Sequence, residues 1–497
     1  MGPQSDASIA AGKVGKNAMQ ASPANSSADF TGLASDSREV KPGYLFAALP
    51  GTKANGAEFV KDAVARGAVA VLGRPDVAPV ASALGVRFIA DDNPRLGLAR
   101  QAARFFGAQP IIVAAVTGTK GKSSIVAFMR EIWTALGLPA ASLGTVGVVT
   151  PNGEIPLKHT TPDPIEVHRL LAQLKKDGID HLALEASSHG LDQFRLDGVE
   201  IAACGFTNIT RDHMDYHADF EHYLRAKLRL FGEVVREGGI AVVNADAAHA
   251  ERFIDAAKKH GLQVMTVGEV GEAIKLLGRE GRIDGQALKL RHASRDYTVS
   301  LPLAGSFQAS NALVAAGLVI GLGADPAQAF AALEHLKGAP GRLEKVAYAA
   351  SGAPVYVDYA HTPDSLEKVL TAIRPHVTGK LHVIFGCGGD RDKGKRPLMG
   401  EAAAKFADTV IVTDDNPRGE DAAAIRKQAL AGAPGAREIG DRAAAIQAGI
   451  AALNSGDILI IAGKGHETGQ IVGSETRPFC DRDEAVRAAL SLGGRAA

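Results

Sequence analysis

The run Ile111-Ile112-Val113-Ala114-Ala115-Val116-Thr117-Gly118-Thr119-Lys120-Gly121-Lys122-Ser123-Ser124 decides the reading of this chain. Ile111 to Val116 is a short, continuous apolar stretch, the pattern of a buried strand. It feeds a glycine-rich loop ending in Lys122-Ser123, and a helical segment, Ile125 to Leu136, follows. Backbone N–H groups of such a loop, with a helix N-terminus, cradle phosphate oxygens. Lys122 adds a point charge at the β- and γ-phosphates, and the Ser123 hydroxyl suits Mg²⁺. The common pattern G-x-x-x-x-G-K-[ST] asks for glycine at 116, where this chain has Val116. The run is instead the tighter G-T-x-G-K-S. A plain glycine-rich βα turn is the competing reading, but strand, loop, lysine, hydroxyl and helix all line up for a nucleotide.

On either side, short β-branched runs alternate with Ala-rich amphipathic segments, the signature of parallel sheets covered by helices. The length, 497 residues, suggests roughly three domains. The expected divisions are a mobile tail over 1–28, a small α/β domain over 29–108, a central domain over 109–338 and a C-terminal domain over 339–497. Gln109-Pro110 and Gly338-Ala339-Pro340-Gly341 mark the two inner boundaries. The central domain is expected to hold a mostly parallel sheet, with strands at Leu182–Glu185, Ala202–Phe206 and Ile240–Asn244, a hairpin within 282–301 and helices from 308 to 336. The C-terminal domain reads as Rossmann-like and doubly wound, with strands at Val355–Asp358, His382–Phe385, Thr409–Val412 and Ile458–Ile461.

Composition narrows the class. Lys+Arg 55 balances Asp+Glu 55, which argues against a general nucleic-acid or membrane-surface binder. Aromatic residues are only 5%, too few for a base-stacking platform. Cys204, Cys387 and Cys480 are far apart and form neither a disulfide framework nor a C-x-x-C site, which fits a reducing cytoplasm. The longest apolar stretch, Ala312 to Ala324, is broken by Gly317, Gly321 and Gly323 and suits a core helix rather than a bilayer span. A cytoplasmic monomer acting on small molecules, without nucleic acid or membrane insertion, is the expectation.

Polar loops follow several of these strands. In an open α/β sheet the carboxyl ends of strands face the ligand crevice. Glu185 ends one strand and precedes Ala186-Ser187-Ser188-His189-Gly190, so it is a candidate for Mg²⁺ or a water on it. Thr207 to His217 gathers many titratable groups after another strand. His213 and His217 have a zinc-like spacing, but no cysteine or H-E-x-x-H context supports zinc. From the residues alone Lys227, within a helix over 221–231, is a solvated lysine. Four more polar loops follow C-terminal strands: Asp358 to Pro363, Gly386 to Arg396, Asp414 to Arg418 and Gly463 to Glu467. Together Arg391, Arg418, Asp415 and Glu467 could hold a zwitterion, because carboxylates favour bidentate arginine and ammonium groups favour carboxylates.

These motifs, in this order, resemble the Mur ligases, ATP-dependent enzymes that add amino acids to the UDP-N-acetylmuramoyl peptide of the bacterial cell wall. The resemblance covers nearly everything after the tail. It is carried by Gly118 to Ser124, His159-Thr160-Thr161-Pro162, Glu185 to Leu191, Asp358-Tyr359-Ala360-His361-Thr362-Pro363 and Asp415-Asn416-Pro417-Arg418. The last segment resembles members that add meso-diaminopimelate, through an acyl phosphate, to the D-glutamate of UDP-N-acetylmuramoyl-L-alanyl-D-glutamate.

The resemblance implies ATP as co-substrate, bound by Gly118, Thr119, Lys120, Gly121, Lys122, Ser123 and Ser124, with Asn311, Arg342, Asp358 and His361 on the nucleotide side. It implies two Mg²⁺ ions near Ser123, Glu185, His213 and Lys227, the lysine carried as a carbamate. Lys122, Glu185, His213 and Lys227 would then be the catalytic group. Ser37, Thr52, Lys53, Ala54, Thr160, Thr161, Ser187, Gln193 and Arg195 match contacts to the UDP-muramoyl dipeptide. Arg391, Asp415, Asn416, Pro417, Arg418, Gly463 and Glu467 match the pocket for diaminopimelate. One departure is Asn55, where relatives often have aspartate. The competing readings are a related amide ligase such as a folylpolyglutamate synthetase or another Mur step, a P-loop kinase or ATPase, and a silent nucleotide-binding module.

Overall fold

The computed structural model describes residues 30–51 and 55–497. The tail expected over 1–28 and the candidate residues Thr52, Lys53 and Ala54 lie outside the described residues. The chain divides into two compact units, one ending at Ala90 and one running from Asp91 to Ala497.

The first unit holds a four-stranded parallel sheet in the order Gly32–Ala34, Tyr44–Ala47, Ala70–Gly73, Arg87–Ala90. Phe46, Val60, Val71 and Ala81 form its core between sheet and short helices.

The second unit begins at Asp91. Helix Pro94–Phe106 packs on helix Pro164–Lys176, and Gln109 exchanges hydrogen bonds with the Glu200 main chain at 3.2 and 3.1 Å. The helix ends at Gly107, whose φ of 67° is left-handed, so glycine stops it before Pro110 is reached.

This unit contains an eleven-stranded and a seven-stranded sheet. In the larger sheet, strand Ile112–Thr117 lies centrally, parallel to Ile201–Phe206 on one side and His181–Glu185 on the other. Alternate residues feed two cores. Ala114 and Val116 meet Ile125, Phe128 and Leu313 on one face, while Val113 and Ala115 meet Leu171 and Phe253 on the other. Such two-sided burial explains why the strand reads as a continuous apolar run. From Ala312 onward helix Ser306–Gly321 is apolar all round because it is a core helix, and Gly317 lets it lie close on Val242 and Val267. The expected hairpin is a three-stranded meander, Ile274–Arg282, Gly285–His292 and Arg295–Leu301. The opposite edge adds Gly147–Thr150 and Gly153–Ile155, which lacked a distinct sequence signal.

The smaller sheet runs Arg437–Glu438, Thr409–Val412, Leu381–Phe385, Ile458–Ala462, Pro354–Asp358, Glu344–Tyr348, Arg495–Ala496, and its first five strands are parallel. The register aligns Asp358 with Ala462, Ala462 with Phe385, and Phe385 with Val412. Four polar loops therefore leave the sheet from one row of residues, at the reversal of strand order where α/β sheets bind ligands.

Candidate active site

The phosphate loop depends on two glycines. Gly118 has φ 149° and Gly121 φ 91°. A Cβ at Gly118 would overlap the Thr207 hydroxyl, and one at Gly121 would overlap the Asn311 amide. Thr207 Oγ1 donates to Lys120 O at 2.6 Å, Thr119 N–H donates to Asn208 O at 2.9 Å, and Lys120 N–H donates to Asn208 Oδ1 at 3.1 Å. Lys120 also lies 4.0 Å from Asp212. The helix starts at Lys122 rather than at Ile125, so Lys122, Ser123 and Ser124 form its first turn and Gly121 precedes it without a side-chain cap. Its free N–H groups and dipole suit an anion.

Two lysines converge on this loop. Lys122 Nζ donates to Gly118 O at 2.8 Å and Thr119 O at 3.1 Å, and Lys227 Nζ donates to the same Gly118 O at 2.8 Å. The solvated reading of Lys227 is therefore corrected. The helix Phe220–Arg229 turns Tyr223 and Lys227, four residues apart, to one buried face. Lys227 is 1% exposed, lies 4.7 Å from the Tyr223 ring centroid and has no ion-pair partner among the described residues. Burial first, and then the Lys122 charge, hold its amine well below the usual lysine range. Burial also lowers Lys122, against the opposing pull of Glu185.

Glu185 is the junction between this loop and a second polar group. Its Oε1 accepts from Ser123 Oγ and from Thr145 N–H, each at 2.8 Å, and Oε2 accepts from Thr145 Oγ1 at 3.3 Å. Thr145 Oγ1 reaches Thr160 Oγ1 at 2.9 Å. Thr161 Oγ1 donates to Glu185 O at 2.8 Å and accepts from Ser187 N–H at 3.1 Å. Arg195 donates to Thr161 O at 2.6 Å and to Gln193 Oε1 at 2.7 Å. The structure thus brings together Ser123, Glu185, Thr160, Thr161, Ser187, Gln193 and Arg195. Ser37 is buried within the first unit.

His213 has φ 56° and its ring meets that of His189 at 5.0 Å. Burial lowers its pKa. His217 instead turns inward among the rings of His189, Tyr216, His222 and Tyr223, and burial holds it at about 4. Among the described residues no three His, Cys, Asp or Glu side chains form a metal cage. Ser123 and Glu185 do supply adjacent hard oxygens beside the phosphate loop. Mg²⁺ at a phosphate site commonly takes one or two protein oxygens with phosphate and water, so these residues fit it.

A polar path continues from Asn311. Its Nδ2 donates to Gln308 Oε1 at 3.3 Å, and Gln308 Nε2 donates to Arg342 O at 3.1 Å. The Arg342 guanidinium sits 4.6 Å from the Tyr359 ring centroid. Asp358 accepts from Leu343 N–H at 2.7 Å and Ala360 N–H at 2.8 Å, and burial pushes its pKa up to about 6. His361 Nδ1 contacts Tyr359 O at 2.8 Å, and burial lowers its pKa.

The C-terminal loops bring a separate set of polar groups together. Asn416 Nδ2 donates to Glu467 Oε2 at 2.9 Å, and Arg418, at φ 50°, donates to Gly389 O at 2.9 Å. Gly463, at φ 119°, packs against the Asp415 carboxylate, while Gly389 packs against Pro417 O. Arg391 is exposed, and its hydrogen bond goes to Asp390 O at 3.2 Å. Sequence reasoning missed the supports beneath. Arg442 pairs with Asp481 through two 2.7 Å hydrogen bonds, both side chains fully buried, and also donates to Asp414 O and Ala462 O. Arg396 is likewise buried and holds Glu420. Lys464 lies wholly buried between Asn416 and Glu467. Lys464 stands in a loop already singled out, but only burial separates it from a solvated lysine; Arg442 opens an Ala-rich helix with no local signal.

The fold and the site define a phosphate-loop α/β protein with a second, charge-mixed cluster of loops. Three family models match in chain order: the Mur ligase family, catalytic domain over residues 29–106, the Mur ligase middle domain over 116–319, and the Mur ligase, glutamate ligase domain over 341–465. A UDP-N-acetylmuramoyl-L-alanyl-D-glutamate–2,6-diaminopimelate ligase of Bradyrhizobium diazoefficiens is 58% identical, covering 94% of this chain and 96% of its own. A solved structure of a ligase with that description is 34% identical with TM-score 0.72, covering 93% of this chain and 95% of its own. A Mycobacterium tuberculosis folylpolyglutamate synthase solved with ADP and AMPPCP shares the fold alone, with TM-score 0.57, 19% identity and coverage of 74% of this chain and 92% of its own. The chain belongs to the Mur ligase family.

Proposed function

We infer that this chain is an ATP-dependent amide ligase of peptidoglycan precursor synthesis. It joins meso-2,6-diaminopimelate to the D-glutamyl carboxylate of UDP-N-acetylmuramoyl-L-alanyl-D-glutamate, releasing ADP and phosphate, in the cytoplasm. Near full-length identity to a ligase so described supports the reaction. The observation that carries the site is the unbroken path from Ser123 through Glu185 to Thr145, Thr160 and Thr161, which sets acceptor-side groups beside the phosphate loop.

A carboxylate resists amines because oxide is a very poor leaving group. Its oxygen attacks the γ-phosphorus, ADP departs, and an acyl phosphate forms. The amine then attacks the carbonyl carbon, loses a proton, and the tetrahedral intermediate expels phosphate. The protein's part is positioning and charge neutralisation. Gly118 to Ser124 hold phosphate oxygens by backbone N–H groups. Lys122 exchanges its loop carbonyls for the β- and γ-phosphates. Arg195, with Gln193, Thr160, Thr161 and Ser187, orients the acceptor, and Ser37, Thr52, Lys53 and Ala54 serve its UDP end. Asn311, Arg342, Asp358 and His361 serve the nucleotide.

Ser123 and Glu185 would hold one Mg²⁺, and His213 with Lys227 as carbamate a second. Bound Mg²⁺ offsets the repulsion between the γ-phosphate and the carboxylate. A buried amine in its neutral form adds to carbon dioxide; the N–C bond forms, one proton leaves, and a neutral group becomes an anion.

In the amino-acid pocket Arg418 and Arg391 bind carboxylate, Asp415 and Glu467 bind ammonium, and Asn416, Pro417 and Gly463 shape the walls. Diaminopimelate offers Arg418 a distal carboxylate, whereas lysine offers an ammonium there, which arginine repels. The enzyme acts as a monomer.

The test is ADP release with each component omitted in turn. Release that needs acceptor and diaminopimelate together is expected. Release with ATP alone would establish an ATPase, and release with lysine in preference would overturn the pocket assignment.

A further inference from the structure

Lys464 follows strand Ile458–Ala462 and is completely buried. An ammonium has three donors, and here each has an acceptor: Glu467 Oε2 at 3.0 Å, Asn416 Oδ1 at 3.2 Å and Gly469 O at 2.6 Å. Lysine is almost never so buried unless it is paired.

These bonds fix the pocket in three ways. Asn416 Oδ1 accepts from Lys464 and from Ile471 N–H at 2.9 Å, so its Nδ2 must turn to Glu467. Lys464 and Asn416 both use Glu467 Oε2, and Oε1 accepts from no donor among the described residues. The bond to Gly469 anchors the hairpin Gly469–Val472 and Glu475–Pro478, whose Ile471 O accepts from Arg418 N–H at 3.0 Å. Arg418 O in turn accepts from Gly473 N–H at 2.7 Å. Asn416, Glu467 and the left-handed backbone of Arg418 thus all hang on one buried cation.

We propose that Lys464 is a positioning residue that sets the preference of this pocket for a diamino acid with two carboxylates over one with a single carboxylate. The proposal rests on the amino-acid pocket assigned above. By holding one Glu467 oxygen, Lys464 weakens the attraction of that carboxylate for a lone side-chain ammonium. Its fixed charge beneath the pocket favours a second substrate carboxylate. Without it, Glu467 carries a full unpaired charge, Asn416 is free to flip, and Arg418 loses its anchor.

The test compares wild-type enzyme with Lys464→Met, measuring kcat and KM for meso-diaminopimelate and for L-lysine, KM for ATP, and thermal melting. The ratio of kcat/KM values, diaminopimelate over lysine, is expected to fall about tenfold or more. The fall comes mainly from a raised KM for diaminopimelate, with KM for ATP unchanged. Lys464→Gln, which keeps an N–H donor without the charge, serves if the methionine variant does not fold. An unchanged ratio in a folded variant overturns the proposal and leaves the assigned function standing, as does equal loss for both amino acids. A wild-type enzyme that prefers lysine overturns the assigned function and the proposal with it.

Discussion

The phosphate loop and the C-terminal loop cluster both gather charged groups at strand ends, by opposite routes. The loop is a single run of consecutive residues whose shape is set by Gly118 and Gly121. The pocket is assembled from four loops that the register of the smaller sheet brings into one row, and it stands on buried cations. A site built locally is robust in backbone and sensitive in one or two side chains. A site built from distant loops depends on groups that never touch the ligand.

The largest expected effect lies in the loop. Lys122→Ala should abolish ligation, a loss of more than about a thousandfold in kcat/KM, while circular dichroism and melting remain near wild type. Full activity in a folded variant would break the assignment. In the pocket the corresponding sensitivity is structural. Asp481→Ala leaves the Arg442 guanidinium buried without its carboxylate, and should cost about 3–5 kcal/mol of stability by denaturant unfolding. No loss would show that the pair does not anchor the Asp414 and Ala462 loops.

What could be read from the sequence follows the same divide. Ile111 to Ser124 announces strand, loop and helix because its apolar run, its two glycines, Lys122 and the helix start are consecutive in the chain. The C-terminal strands were also legible, since two-sided burial demands apolar runs. Lys227 was not, because a helix pattern cannot tell a buried lysine from a solvated one; only the loop above it decides. Nor were Arg442 and Asp481, 39 residues apart and paired only by the fold. The hairpin Gly469–Val472 and Glu475–Pro478 was missed because its residues are half-buried or exposed and carry little apolar alternation.

A smaller effect is expected at Asp358. Burial raises the Asp358 pKa from 3.8 to about 6. Protonation therefore favours the folded state. That stabilisation is full below pH 3.8 and is lost as pH rises through about 6. The stability of wild type minus that of Asp358→Asn should rise by about 2 kcal/mol as pH falls from 7 to 4. A difference independent of pH would contradict the buried carboxylate. The smallest effect is expected at Arg418→Lys, which keeps the charge but loses the bidentate fork. It should raise KM for diaminopimelate roughly tenfold with little change in KM for ATP.

The proposed function requires one chain to couple its phosphate loop to selection of the doubly acidic diamino acid. The most direct measurement is mass spectrometry of the nucleotide product. Enzyme, ATP, Mg²⁺ and UDP-N-acetylmuramoyl-L-alanyl-D-glutamate are given equal concentrations of meso-diaminopimelate and L-lysine. The account predicts a product heavier by one diaminopimelate residue, formed in step with ADP. A lysine adduct, or ADP without any adduct, would contradict it.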